Sequence, residues 1–270
     1  MSKLKVPKNL PCPPMDFDIL DLFCGGDIAV NDSIVVRQPY IGEIRHFGDK
    51  KYFETIRLLC LIPSDIKAEL DKMGLSYMDI SDFELFYMLT RDLSKAQTRL
   101  ILGDMDLSKM ELDIRPETND MIMVDRENGV VIDRILYTKL VTILRRMHGF
   151  SYSPEYATNK YTLRALIQEA KTKLERAKAN PKPYQSYLGT MLISLCCTEE
   201  FKYNSSTVQD IGICELVMSY HQIMKKKNAL ALLQGSYSGM IDVSKISKSK
   251  FSWVHEGNYM SEEVNPESES

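Results

Sequence analysis

The chain has 270 residues, 44% of them hydrophobic and 26% charged, with a formal net charge of −3. This is a globular composition, and a chain of this length buries roughly three quarters of its unfolded surface without a metal or disulfide staple. The near-neutral balance excludes the global cationic field that nucleic-acid binders usually carry.

The charge is unevenly spread. Residues 1–150 hold 20 Lys/Arg against 24 Asp/Glu, residues 151–260 hold 14 against 9, and residues 261–270 hold four Glu and no base. These shifts, with the turn signals, divide the chain into an N-terminal arm (1–15), an α+β domain (16–150), a helical domain (151–256) and an acidic tail (257–270) expected to be disordered. Six cysteines occur, none in a C-x-x-C pair. Cys60, Cys196, Cys197 and Cys214 fall inside apolar helical patterns and are expected as buried free thiols in a reducing compartment. Met1–Pro14 is polar and proline-rich, without the apolar core of a secretory leader. The longest apolar runs, LLCLI and ALALL, are far short of the roughly 20 residues that span a bilayer. The expectation is a cytoplasmic chain without a membrane span.

In chain order, DIAV and SIVVRQ read as two short strands, with Gly25-Gly26 and Asn31-Asp32 as turn punctuation. Pro39 blocks further strand pairing because it has no N–H. Apolar residues at Ile41, Ile44, Phe47, Tyr52, Phe53, Ile56 and Leu59 predict a helix from Gly42 to Leu61, interrupted near Gly48. Pro63-Ser64-Asp65 caps a further helix that ends at Gly74, and Ser81 or Asp82 caps the next, with Phe83, Phe86, Tyr87 and Leu89 as its buried stripe. From Met110 the period changes. ELDIR, MIMVD and VVIDR alternate, and Asn128-Gly129 is a strong hairpin signal, so residues 110–133 are expected as a small antiparallel sheet or hairpin.

DRILYTKLVTILRRMHG returns to helical spacing, with Arg145, Arg146 and His148 placed to complement its C-terminal dipole and Gly149 as C-cap. A long basic helix follows up to Asn180, then a shorter one over YQSYLGTMLISLCC. A last long helix is expected from a Ser206/Thr207 cap to Gly235, and a brief one around Ser247–Trp253. The fold class is α+β and predominantly helical: a small N-terminal β element, a helical body and an inserted β-hairpin.

No catalytic constellation or cofactor site emerges. His46, His148, His221 and His255 are not at metal-ligand spacing, so no metal is expected. The carboxylate groups Asp16/Asp18, Asp104/Asp106 and Asp79/Asp82/Glu84 sit beside helix starts and turns, where they cap backbone donors. Ser64-Asp65-Ile66-Lys67 matches S-x-x-K formally and reads as a helix cap. Lys171, Lys173 and Arg176 belong to a basic helix face that suits an acidic protein partner better than nucleic acid, since no nucleic-acid-binding motif accompanies them.

The stretch IVVRQPYIGEIRHFGDKKYFETIRLLCLIPSDIKAELDKMGLSYMDISDFELF resembles a family of proteins encoded by tailed phages and prophages of Gram-positive hosts. So do IGICELVMSYHQI and YSGMIDVSKISKSKFSW. The likeness covers most of residues 20–255 and departs around Trp253, where a helix expected to continue is cut short by Gly257 and the acidic tail. The resemblance implies a non-enzymatic part in tail morphogenesis in the host cytoplasm, similar to tail assembly chaperones, with tape-measure or tube subunits as partners and a possible homo-oligomer. On that reading Arg37, Gln38, Pro39, Ile41 and Glu43 form a partner-binding segment: a strand edge closed by Pro39 and followed by a helix. The alternatives are a virion structural protein of the baseplate or connector and a nucleic-acid-binding regulator.

Overall fold

The structure is a computed structural model that describes residues 19–239, 244 and 246–254. The N-terminal arm, Cys12, Asp16, Asp18 and the acidic tail lie outside the described residues. The protein is α+β and predominantly helical. After α1 (Ile19–Phe23), β1 (Ile28–Asn31) and β2 (Ile34–Val36) pair antiparallel, with Ile28 opposite Val36. The turn between them forms because the Asn31 side-chain oxygen accepts from the Ser33 and Ile34 N–H groups at 3.0 and 2.7 Å.

α2 (Ile41–Phe47) and α3 (Asp49–Cys60) are the expected interrupted helix. Gly48 breaks it at φ 98°, a conformation that favours glycine. A 3-10 turn (Pro63–Ile66) leads into α4 (Lys67–Lys72), and Ser81 caps α5 (Asp82–Thr90) through a reciprocal pair with Glu84. α6 (Lys95–Leu102) fills a stretch for which no element was predicted. The chain then runs into β3 (Glu111–Arg115), β4 (Asp120–Asp125) and β5 (Val130–Ile132), an antiparallel sheet in that order. α7 (Arg134–Met147) is capped by the Asp133 carboxylate, which accepts from the Ile135 and Leu136 N–H groups.

α8 (Lys160–Ala179) and α9 (Tyr187–Cys196) fall where predicted. The last long helix starts later than expected. Thr207 precedes a 3-10 turn (Val208–Asp210), and α10 (Ile213–Tyr237) begins only after Gly212. The brief C-terminal helix is a 3-10 turn at Lys248–Phe251.

One buried cluster joins α3, α5, the β1–β2 hairpin and β4–β5 to α7, and continues into α9 and α10 through Leu188, Met191, Leu195, Ile213, Leu216 and Val217. A smaller one forms around Leu70, Tyr77, Met78 and Leu85, roofed by Leu163, Leu166 and Ile167 of α8. Two side chains assigned to the dipole at the end of α7 lie inside instead. Arg145 donates to the Cys60 carbonyl at 2.9 Å, compensating the carbonyl end of α3. His148 is fully buried: its Nδ1–H donates to the Leu144 carbonyl at 2.7 Å, and its Nε2 accepts from the Tyr52 hydroxyl at 2.7 Å. Cys60 and Cys214 are buried as expected, but Cys197 is exposed and Cys196 only half-buried, because α9 turns that end toward solvent.

Candidate interaction cleft

The segment after β2 is positioned by backbone bonds to three different elements. The Arg37 N–H donates to the Ile101 carbonyl at the end of α6 at 2.7 Å. The Gln38 N–H donates to the Asp27 carboxylate at 3.0 Å. Residues 39–41 then run antiparallel to residues 211–213 as a single bridge: Ile41 N–H to Ile211 carbonyl and Ile213 N–H to Pro39 carbonyl, each 3.0 Å. Ile41 and Ile213 open α2 and α10, so each helix has one of its unsatisfied first N–H groups paired by the strand leading into the other. Two stretches 170 residues apart in sequence, both quoted above for the family likeness, are thus bonded to each other.

Beside this bridge lies an open cleft of about 890 Å³. Tyr40, Glu43, His46 and Phe47 line one side, with Arg99 of α6 and Gln209 of the 3-10 turn opposite. Its walls are tied together: Arg45 Nη1 donates to Gln209 Oε1 at 3.1 Å, Glu43 accepts from the Tyr40 N–H at 2.9 Å, and Arg37 lies 3.8 Å from Glu43. His46 Nδ1–H donates to the Gly42 carbonyl at 2.6 Å. Gly42 permits the close approach of α2, since a Cβ there would stand 3.2 Å from the Gln209 carbonyl oxygen. The result is a surface of aromatic and half-exposed charged groups held in place by neighbours, suited to recognition by shape and charge.

The sequence-derived residues divide by depth. Arg37 and Glu43 reach the surface, with side chains 40% and 37% exposed. Gln38, Pro39 and Ile41 are buried. Gln38 donates to the Leu22 carbonyl at 2.8 Å, and Ile41 packs in the main core, so these three support the segment from beneath. Lys171 and Lys173 are engaged with Asp71 and Glu169 at 2.5 and 2.7 Å, while Arg176 is exposed. They sit on α8, which packs on α4, apart from the neighbours of the cleft. Tyr40, Phe47, Arg99 and Gln209 were not singled out from sequence. Tyr40 follows Pro39 as an aromatic outside the core pattern, a usable signal; Arg99 and Gln209 join the cleft only through the tertiary fold.

Elsewhere burial shifts several ionisable groups. Burial pushes the Cys60 and Cys214 thiols up to about 12, which suppresses the nucleophilic thiolate. Burial also lowers His221 and brings His148 down to about 4. Among the described residues no group of three or more His, Cys, Asp or Glu could hold a metal ion, and no helix is long and apolar enough to cross a membrane.

No curated protein and no solved structure matches the chain. Residues 178–256 match the family model of the YomV second domain, YomV being a Bacillus phage or prophage gene product. The matched segment contributes Gln209 and Asp210 to the cleft and Gly212 to the bridge beside it, so the wall of the cleft facing α2 comes from a stretch similar to a phage-related domain.

Proposed function

We propose that the protein is a non-enzymatic tail morphogenesis factor of a phage or prophage, acting like a tail assembly chaperone in the host cytoplasm, and that the cleft between α2, α6 and the 208–210 turn receives a tape-measure or tube subunit. The observation that carries this reading is the bridge between residues 39–41 and 211–213, which bonds two family-resembling stretches to each other beside the cleft. Tyr40, 46% exposed, and the adjoining Arg37–Glu43 pair offer an aromatic anchor beside charge, the combination that concentrates binding energy in protein interfaces. The polar side chains around it are held in intramolecular contacts, which favours preformed recognition over proton transfer.

The test is co-purification from an induced host. The wild-type chain should bring down the tape-measure or tube protein, and Tyr40→Ala combined with Arg37→Glu should lose it while the circular dichroism stays helical. Mass spectrometry of purified particles should lack the protein; its presence there at stoichiometric amounts would favour a virion subunit.

A further inference from the structure

The three-stranded sheet has an edge at β3, since the strand order is β3-β4-β5. Along the ladder Leu112 lies opposite Met123, and Met123 lies opposite Ile132. Met123 and Ile132 are fully buried, whereas Leu112 is 45% and Ile114 57% exposed. The apolar face of the sheet therefore enters the core at β4 and β5 and overhangs it at β3. Among the described residues no other strand pairs with β3 on its outer side, so the backbone at this edge is open too. The exposed Ile114 N–H does not reach β4 but donates to the neighbouring Asp113 carboxylate at 2.8 Å. Because backbone groups alternate in direction along a strand, those of Leu112 and Ile114 both face away from β4.

ELDIR is self-complementary when it runs antiparallel to itself about Asp113. Leu112 then stands opposite Ile114 of the second copy, and these are the residues whose N–H and C=O groups face outward. Each such pair exchanges two N–H···O bonds and brings apolar side chains together on one face. On the other face Glu111 stands opposite Arg115. The two Asp113 carboxylates meet at the axis, each already held by Arg126 of its own chain at 2.7 Å. Neighbouring registers are worse. An axis at Leu112 sets Glu111 against Asp113 and Lys109 against Arg115, and an axis at Ile114 sets Leu112 against Pro116, which has no N–H.

We propose that β3 pairs with β3 of a second copy of this chain about a two-fold axis at Asp113, joining two three-stranded sheets into one of six strands. An isologous contact of this kind closes after two copies. The strand is short, so the association is weak and concentration-dependent.

Sedimentation of the full chain over a concentration series tests this. The mass should rise from 31.0 kDa toward twice that value as concentration increases. Ile114→Pro removes an outward donor and leaves the β4 ladder intact, so it should stay monomeric with unchanged circular dichroism. Glu111→Arg and Arg115→Glu should each weaken the dimer roughly tenfold, the altered pair occurring twice, and the double swap should restore it. A monomer up to the solubility limit overturns the proposal. So does a dimer that both Ile114→Pro and the single charge reversals leave unchanged.

Discussion

Gly212→Ala is the sharpest probe of how the two halves of the cleft are joined. The backbone at Gly212 has φ −72° and ψ 153°, open to any L-residue, so the need for glycine is one of space alone. A Cβ would stand 2.2 Å from Gln38 Oε1 and 2.9 Å from its Cδ. Gln38 cannot yield cheaply. It is 3% exposed, and its amide nitrogen donates to the Leu22 and Gly26 carbonyls at 2.8 and 3.4 Å. Displacing the amide gives up these bonds at about 1 kcal/mol each, and strain from the inserted methyl adds roughly 1–2 kcal/mol. The expected loss is about 3–4 kcal/mol in urea unfolding followed by helical circular dichroism, with the slope unchanged. Gln38→Ala alone should cost about 2 kcal/mol by giving up the same two bonds. In the double variant the clash is gone, so its stability should fall close to that of Gln38→Ala. A cost for Gly212→Ala under about 0.5 kcal/mol, or strict additivity of the two changes, refutes the reasoning.

Other consequences can be checked separately. Burial lowers His148 to about 4 from its ordinary 6.5, so the unfolded chain takes up that proton before the folded one. The stabilisation from keeping His148 neutral is complete at pH 7 and is lost as pH falls from about 6.5 to about 4, roughly 3 kcal/mol in all. Urea midpoints across that window should show the slope, and His148→Gln should reduce it. Asp125 is buried in the β4–β5 turn and accepts from the Glu127 N–H, the Asn128 N–H and the Asn128 side chain at 3.0, 3.1 and 2.6 Å. The Asn128 side-chain bond leads in holding its carboxyl below the usual range, and Asp125→Ala should cost about 2–3 kcal/mol in the same unfolding assay. In α8, Leu163, Leu166 and Ile167 pack on the second cluster, whereas residues 175–180 are exposed. Hydrogen exchange should therefore be faster at 175–180 than at 163–170.

The sequence by itself determined the elements whose causes are local. Asn31 made the first turn, Gly48 split α2 from α3, Ser81 and Asp133 started α5 and α7, and the alternation over 110–132 with Asn128-Gly129 made the second sheet. Each of these needs only neighbours a few residues away. α10 was misplaced at its start because Thr207 is a plausible cap by composition; residues 208–210 form a 3-10 turn that meets α2, and the long helix waits for the bridge at Gly212. The basic end of α7 was misread for a similar reason. A basic residue near a helix C-terminus suits the dipole, but Arg145 instead reaches the carbonyl end of a different helix. The candidate cleft was half legible: the segment around Pro39 stood out, yet which of its side chains face solvent did not. Gln38 and Ile41 are as polar or apolar as a surface anchor could be, and only the packing of α6 and α10 against them decides that Arg37, Tyr40 and Glu43 remain outside. Hydrophobic periodicity and capping are short-range signals, while burial depends on what a distant part of the chain lays on top.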